Sequence, residues 1–308
     1  LILLSIQVTM MFLWACKWRI VLRHFDVSFK NVLPVNMIGY MMNNMTPLGM
    51  AGGETTKAYL LSKIDNISAE KSMASVIVDL FLDIFPLIFM VLVSVFLVFL
   101  YDVPLEFAVV LVIAAAILLV AALAIAALPL NKEFAMRILH FILRFAARIP
   151  FLKKRAHAMT KRVDEIIENF QSAMHKTATD RVILSSGILL SSTIFGLGLL
   201  RTYIVFGLLG IDIDIPILII VQVSVGILSF VPILPGAIGL WEGLSVALYS
   251  LVGIPAPSAM AVTIIDRFFS FWVGSFIGLI ATTYMGLNFV LTYNKEQKGG
   301  LGTRRKRS

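Results

Sequence analysis

Two short stretches each place a glutamate seven residues after a proline, inside sequence that is otherwise strongly apolar. One runs from Pro47 to Glu54 and reads PLGMAGGE, and the other runs from Pro235 to Glu242 and reads PGAIGLWE. Proline removes a backbone donor and glycine weakens a helix, so each stretch predicts a helix that is broken at membrane depth. The N–H groups at the start of a half-helix favour negative charge, and we expect them to hold an anion such as a lipid phosphate.

The two glutamates of these stretches have two interpretations. We expect Glu54 and Glu242 to lie in the first turns of their half-helices, where a carboxylate can satisfy the free N–H groups of its own helix. Alternatively, they engage a cationic headgroup, a sugar hydroxyl or a coupling proton. The sequence leaves both interpretations open.

Other charged side chains lie inside predicted membrane spans, where they are costly in hydrocarbon and should face a cavity or each other. Asp266 and Arg267 are neighbours and point about 100° apart on a helix, so they are not expected to pair with each other. Asp266 is expected to pair with Lys57 or with Arg201. No catalytic residue, metal site or cofactor is predicted. The candidate substrate-binding or translocation residues are Asn44, Gly52, Gly53, Glu54, Lys57, Asp79, Asp83, Arg201, Pro235, Gly236, Gly239, Glu242, Asp266 and Arg267.

The composition excludes a soluble protein. Hydrophobic residues make up 59% of the 308 residues and charged residues only 14%, with a mean hydropathy of +0.93, which is typical of a polytopic membrane protein. The net charge of +8 comes from clusters at the ends of apolar segments. The tendency of basic residues to remain in the cytoplasm explains these clusters better than nucleic-acid binding does. The lone Cys16 offers no disulfide or metal framework.

The hydropathy pattern predicts an all-α polytopic protein of the cell membrane, with its C-terminus in the cytoplasm. Because the chain begins within an apolar run, we expect that a segment precedes Leu1. Two segments are too polar and too broken for a clean span, and each predicts a re-entrant helical hairpin. The predicted spans are residues 1–22, 70–100, 105–129, 181–209 and 257–290, and the hairpin helices are 31–46 with 52–63 and 216–232 with 236–252.

The two broken motifs belong to a longer internal repeat. Pro47 and Glu54 recur as Pro235 and Glu242 when the sequence is shifted along itself. The helices that follow align when this shift is one residue shorter, and Asp79 then matches Asp266. Each unit contains a span, a broken hairpin and a span, and an odd number of crossings separates the two units. The units are therefore predicted to be inverted repeats, which in transporters enclose the substrate site. Within a single transmembrane domain, 1–308, we predict repeat 1 at about 1–100, a linking span at 105–129, a cytoplasmic amphipathic hairpin at 131–180, repeat 2 at about 181–290 and a basic tail at 291–308.

The segment 131–180 is the most polar part of the chain. In its second half, apolar residues such as Val163, Ile167 and Met174 fall on one helical face, and charged residues such as Glu165 and Glu168 fall on the other. This pattern is typical of a helix lying on the cytoplasmic membrane surface. A cytoplasmic hairpin that packs on the protein itself fits the pattern equally well.

Four stretches carry a family resemblance that covers nearly the whole chain. They are Trp18-Arg19, Asn44 through Gly52-Gly53-Glu54 to Lys57-Ala58-Tyr59-Leu60-Leu61, Leu234-Pro235-Gly236 through Gly239 to Glu242, and Arg267. In these residues the chain resembles the flippase-like, lysylphosphatidylglycerol-synthase transmembrane family. This family includes the membrane half of bacterial multiple-peptide-resistance-factor proteins and archaeal relatives associated with dolichol-phosphate glycosylation.

The resemblance implies a transporter-like protein that moves a polar-headed lipid across the bilayer, with an anionic, aminoacylated or polyprenyl-linked lipid as substrate. The aminoacyl-transferase domain of bifunctional members is not part of this sequence, so the chain is not expected to make lysyl-lipid. A membrane glycosyltransferase, or its accessory subunit, is the alternative, with Asp212 and Asp214 as its candidate carboxylates. The basic segment 131–180 could instead recruit a cytoplasmic synthase or glycosyltransferase as a partner.

Overall fold

The structure, a computed structural model, describes residues 1–46, 50–101, 103–128, 130–138, 163–228 and 235–286. Within them the chain is helical and contains no strand, which confirms the predicted all-α class. Residues 132–138 are also helical. The helices are α1 Ile2–Val21, α2 Phe29–Met45, α3 Met50–Ile64, α4 Ala69–Leu100, α5 Leu105–Ala127, α6 Val163–Ala178, α7 Arg181–Leu208, α8 Ile215–Leu228, α9 Leu240–Leu251 and α10 Ala256–Gly286.

Four of the described helices are long and apolar enough to cross a membrane: α4, α5, α7 and α10. Their bounds agree closely with the predicted spans, because long apolar runs bounded by proline or polar residues leave little freedom in placing a helix. The 20-residue α1 is not among the four. It contains Gln7 and Lys17, but both side chains are buried inside the protein rather than exposed.

Two hydrophobic cores lie at opposite ends of the long helices. One core joins the end of α1 at Trp18, the start of α4 at Ala74 and the start of α7 at Ile183, and it includes apolar residues from the first half of α2 and from α3. The other core joins Leu3 of α1 and Val205 of α7 to the far half of α4, and it contains the apolar residues of α8 and α9. The two pairs of short helices therefore pack toward opposite ends of the molecule.

The first pair, α2 and α3, forms an antiparallel hairpin. Asn43 contacts Gly53 near the tip, and Gly39 contacts Lys57 one turn further from it. Residues 47–49, which include Pro47 of the first motif, lie outside the described residues. The second pair, α8 and α9, also packs together, and Gln222 Nε2 donates to Tyr249 Oη at 2.8 Å. Residues 229–234, including Pro232, lie outside the described residues. The re-entrant nature of the two hairpins stays a prediction, and so does the inverted-repeat relation of the two units.

The second hairpin differs from its predicted boundaries. We expected its second helix to begin at residue 236, but Pro235–Ala237 form a 3-10 turn and α9 begins only at Leu240. Gly236 has φ of 57° and Gly239 has φ of 81°, and both values are unfavourable for a residue with a side chain. A regular helix cannot contain these conformations, so the glycines delay its start by a full turn.

The polar segment 131–180 is described only in part, because residues 139–162 lie outside the described residues, as does the basic tail 291–308. Its second half forms α6, whose Ile167 and Met174 are buried in the same core as α3 and α4. The apolar face of α6 thus packs on the protein itself. That the segment forms a cytoplasmic hairpin stays a prediction. The division of the chain into repeat, linker and hairpin units stays a prediction.

Asp180 connects the end of α1 to the start of α7. Its carboxylate accepts the N–H groups of Val182 at 2.8 Å and Ile183 at 3.3 Å, and it contacts His24 at 2.8 Å and Arg23 at 3.4 Å. Loss of hydration alone raises the pKa of Asp180, but the two backbone hydrogen bonds, with help from His24 and Arg23, lower this pKa below its ordinary value. The carboxylate is therefore charged at neutral pH and caps α7.

Candidate functional site

The two broken segments meet in the middle of the molecule. A Cβ atom built on Gly236 would lie only 2.8 Å from the main-chain oxygen of Asn44 and would overlap the ring of Phe271. Gly236 belongs to the turn before α9, and Asn44 belongs to the last turn of α2. Only a residue without a side chain allows this approach, so glycine at 236 is required both by its φ angle and by its neighbours.

The end of α2 is also fixed to an unusual segment of α10. Residues Phe268–Val273 form a π-helix, a wide turn that is frequent at functional sites. Tyr40 Oη donates to the main-chain oxygen of Ser270 at 2.6 Å, and Asn44 Nδ2 donates to Ser275 Oγ at 2.9 Å. The wide turn presents carbonyl groups that α2 satisfies, so the first hairpin and α10 are held together by polar contacts.

Arg267 and Glu242 form a charged pair beside this junction. Arg267 Nε donates to Glu242 Oε1 at 2.9 Å, and Arg267 Nη2 donates to the main-chain oxygen of Gly236 at 2.7 Å. Its guanidinium also lies over the rings of Phe271, at 4.6 Å from the centroid, and Trp241, at 5.6 Å. A guanidinium carries five N–H donors, and these hydrogen bonds use two of them. The pair is partly accessible, since the side chains of Arg267 and Glu242 are 12% and 23% exposed.

The contacts of Glu242 agree with the interpretation in which the carboxylate satisfies the N–H groups at the start of its own helix. Its Oε2 atom accepts the N–H of Gly239 at 2.6 Å, so the carboxylate caps the start of α9 from the first turn. The same side chain orients Arg267 through its other oxygen. Glu242 therefore serves the helix start and, through Arg267, presents a cation at the break.

Glu54 does not occupy the equivalent position, and the expectation that it lies in a first turn was wrong. Helix α3 begins at Met50, before Gly52 and Gly53, and Glu54 lies beyond its first turn. Gly53 N–H donates to Asn43 Oδ1 at 2.7 Å, so this group is not free to bind an anion. A Cβ atom on Gly53 would overlap the main-chain oxygen of Gly39. The glycine pair thus permits the close packing of α2 on α3.

Glu54 instead belongs to a row of five charged side chains, which we call the charged row. The Lys57 ammonium lies 2.7 Å from Glu54 Oε2 and 3.3 Å from Asp79 Oδ2. The Lys17 ammonium lies 3.2 Å from Asp79 Oδ1 and 2.6 Å from Asp83 Oδ1. Carboxylates and ammonium groups therefore alternate from Glu54 through Lys57, Asp79 and Lys17 to Asp83, across helices α3, α4 and α1.

Lys57 and Arg201 were both considered as partners of Asp266, and in the structure Asp266 pairs with Arg201. Arg201 Nε donates to Asp266 Oδ1 at 2.8 Å and Nη2 donates to Oδ2 at 3.1 Å, which is the two-pronged geometry that suits a guanidinium. Gln7 Oε1 accepts from Arg201 Nη1 at 2.6 Å, and Thr202 Oγ1 donates to Asp266 Oδ1 at 3.1 Å. As expected, Asp266 and the adjacent Arg267 have different partners.

The candidate residues thus fall into four groups. The junction of the two breaks is surrounded by Arg267, Glu242, Gly236, Gly239, Pro235 and Asn44. The charged row includes Glu54, Lys57, Asp79 and Asp83. A separate buried pair is formed by Arg201 and Asp266. Gly52 and Gly53 pack within the first hairpin. Sequence reasoning missed Lys17, which belongs to the charged row. Its position inside α1, four residues before the helix ends, was the available signal.

A separate cavity of about 720 Å³ lies near the loop between α7 and α8. It is lined by Tyr203, Phe206, Ile211, Asp212, Asp214 and neighbouring residues. This is the loop whose two aspartates were candidates for a glycosyltransferase. The cavity includes none of the residues at the junction of the two breaks.

The chain is similar to several archaeal membrane proteins. Two relatives named UPF0104 membrane protein are similar over most of the chain. One, from Methanothermobacter thermautotrophicus, is 30% identical over 277 residues, covering 89% of this chain and 81% of the relative. The other, from Pyrococcus horikoshii, is 31% identical over 275 residues, covering 86% of this chain and 81% of the relative. A third, from Methanocaldococcus jannaschii, is 23% identical over 282 residues, covering 90% of this chain and 81% of the relative.

No solved structure matches the chain. The family model described as the lysylphosphatidylglycerol synthase TM region matches residues 1–278, from α1 into the second half of α10. The chain is therefore a multi-pass membrane protein that belongs to the lysylphosphatidylglycerol synthase TM-region family.

Proposed function

We propose that this protein is a flippase-like transporter that moves a lipid with a negatively charged headgroup across the bilayer. The observation that carries the proposal is the meeting of the two broken segments at Asn44 and Gly236, with the partly accessible Arg267 beside them. A lipid headgroup needs a polar site at membrane depth, and such sites in transporters form where broken helices from two halves meet. Family membership is consistent with a lipid substrate.

Arg267 is the residue we assign to the headgroup phosphate. A guanidinium binds phosphate through paired N–H donors, and Arg267 has donors beyond the two that contact Glu242 and Gly236. Glu242 and the rings of Phe271 and Trp241 hold the guanidinium in place and leave some of its N–H donors available for a phosphate. A phosphatidylglycerol or a polyprenyl phosphate presents the required anion.

Lipid movement in proteoliposomes tests this assignment. We expect the purified protein to expose inner-leaflet fluorescent phosphatidylglycerol to an impermeant quencher, and we expect Arg267→Gln to slow the exchange at least about tenfold, because charge-assisted hydrogen bonds are lost. Arg137→Gln is the matched control, since the Arg137 side chain is 80% exposed and lies on the surface. Repeating the assay with a fluorescent polyprenyl phosphate shows which headgroup class is moved.

Two outcomes would contradict the proposal. One is lipid exchange no faster than in protein-free liposomes for both lipid classes. The other is equal exchange by Arg267→Gln and wild-type protein. A thermal unfolding curve of Arg267→Gln in detergent, together with the variant Arg267→Lys, separates loss of the phosphate contact from loss of the fold.

A membrane glycosyltransferase is the second candidate, and the cavity containing Asp212 and Asp214 is the observation that favours it. Sugar transfer from a lipid-phosphate donor needs a catalytic carboxylate, and Asp212 and Asp214 are the candidates for it. If this is the activity, Asp212→Asn abolishes sugar transfer in membrane extracts while lipid exchange remains unchanged.

A further inference from the structure

The charged row contains one more carboxylate than ammonium groups. Glu54, Asp79 and Asp83 share two ammonium groups, those of Lys57 and Lys17. Four of the five side chains are at least 88% buried, and only Asp83 is more accessible, at 32%. A buried net negative charge is costly at membrane depth, and the uptake of one proton by a carboxylate removes it.

Asp83 and Asp79 differ from Glu54 in their partners and in their exposure. Asp83 Oδ1 contacts the Lys17 ammonium at 2.6 Å and accepts from Ser191 Oγ at 2.6 Å, and its exposed part remains hydrated. Asp79 lies between the two lysines and contacts both. Asp79 therefore has two cationic partners, and Asp83 has a hydroxyl donor and solvent access in addition to its cation.

Glu54 is both buried and served by a single cation. Its side chain is 12% exposed, and its only other described hydrogen bond comes from Asn43 Nδ2 at the long distance of 3.4 Å. Glu54 Oε2 and Asp79 Oδ1 both lie fully buried beside an ammonium group without hydrogen-bond alignment. Asp79 has a second ammonium group at its other oxygen, whereas Glu54 has none. The described charged groups that face it are Lys57 from its own helix and Asp79 from α4, while α2 contributes the amide of Asn43.

We propose that Glu54 is a proton-binding site, and that its proton crosses the membrane together with the anionic headgroup. This inference rests on the proposed function. The step is the addition of one proton to the Glu54 carboxylate, which gives a neutral acid and breaks no other bond. The row then carries no net charge, Lys57 keeps Asp79 as its partner, and the repulsion between the row and an arriving phosphate disappears.

Infrared spectroscopy of the full-length protein tests the site without requiring lipid movement. At a pH high enough to keep the exposed carboxylates ionised, we expect the wild type to show a C=O stretching band of a protonated carboxyl, and we expect this band to be missing in Glu54→Gln. The matched control is Glu106→Gln, because Glu106 is an exposed glutamate at the start of α5, and this variant should keep the band. A band that survives in Glu54→Gln would overturn the assignment, and so would a wild type without such a band.

Coupling is tested in proteoliposomes with fluorescent phosphatidylglycerol and a trapped pH dye. In the wild type, we expect the exchange rate to fall by up to about tenfold per pH unit above the titration of Glu54, since the protonated fraction falls by that factor. An imposed lipid gradient should also move protons. In Glu54→Gln both effects should disappear, while Glu106→Gln should behave as the wild type does.

The possible results distinguish this inference from the proposed function. Lipid exchange that is independent of pH, without proton movement, overturns the coupling and leaves the flippase function standing. Exchange that follows the sodium concentration at constant pH overturns the proton as the coupled ion. Absence of any lipid exchange contradicts the proposed function and with it the coupling, whereas the infrared band still decides whether Glu54 takes up a proton.

Discussion

Arg201 and Asp266 form a pair that is almost completely buried, with both side chains 8% exposed. Two hydrogen bonds join them directly, and Gln7 and Thr202 occupy further donors and acceptors. Three helices contribute to this arrangement, namely α1, α7 and α10. The pair therefore connects elements of both halves, which suits a structural role better than direct contact with a substrate.

Removing one charge of this pair should destabilise the protein strongly. Asp266→Asn leaves the Arg201 guanidinium buried without a counter-charge, and the loss of one partner of a buried ion pair costs about 3–5 kcal/mol. We expect a large decrease in the thermal unfolding midpoint in detergent. Glu106→Gln, which removes an exposed carboxylate, should leave the midpoint unchanged. Equal midpoints for Asp266→Asn and Glu106→Gln would show that the pair contributes nothing to stability.

Lys17 shows how two similar residues on one helix acquire different environments. Lys17 is completely buried in the charged row, whereas Arg19, two positions later, is only partly buried at the end of α1. Both look like flanking basic residues in the sequence. The difference arises because α1 packs against α4 on the side that carries Lys17, where Asp79 and Asp83 lie.

At the scale of the elements, the contact between α2 and α10 depends on small residues. A Cβ atom on Gly278 would lie 2.5 Å from Met41 Cβ and 2.6 Å from the main-chain oxygen of Met37, and one on Gly274 would overlap the ring of Tyr40. Such glycines, four residues apart, allow two membrane helices to approach closely. This approach places Tyr40 and Asn44 on the carbonyl groups of the π-helical segment.

Two glycines of α10 provide a matched test of this contact. Gly278→Ala should destabilise the protein by about 1–3 kcal/mol, because the added methyl group meets backbone that cannot move away. Gly286→Ala, in the same helix, meets no described atom within 4 Å and should be neutral or slightly stabilising. Thermal unfolding midpoints of the two variants measure the difference. A Gly278→Ala protein as stable as Gly286→Ala would show that α2 and α10 do not depend on this close approach.

At the scale of the whole molecule, corresponding elements of the two halves form similar charge pairs. In the first half, Lys17 of α1 pairs with Asp79 of α4, and in the second, Arg201 of α7 pairs with Asp266 of α10. The aspartates are the residues aligned by the predicted internal repeat. The short hairpins also pack at opposite ends of the long helices. Both observations are consistent with inverted repeats.

The orientation of the protein in the membrane follows from the charge pattern and can be measured. In a Cys16→Ala background, we introduce a single cysteine at Ser68, between α3 and α4, or at Asp214, before α8; both positions are exposed. In right-side-out membrane vesicles, an impermeant maleimide should label Asp214→Cys directly, because the loop 210–214 is predicted to lie outside. Ser68→Cys should react only after permeabilisation, and the reverse pattern would contradict the predicted topology.

The sequence by itself determined the helical class, the long apolar helices, the two broken segments and the family. These features depend on local properties: the length of apolar runs, the conformations open to glycine and proline, and the distribution of charge. For the same reason it identified Glu242 as a helix-start carboxylate, because Gly239 lies directly before the helix that this side chain caps.

Only the tertiary structure decided the partners of the charged residues. Glu54 matches Glu242 in the sequence, yet it pairs with Lys57 rather than capping its helix, because α3 begins a turn earlier than the glycine pair indicates. Asp266 could have met Lys57 or Arg201, and the packing of α10 on α7 selected Arg201. Such choices depend on contacts between residues far apart in the chain, which neither hydropathy nor motif spacing encodes.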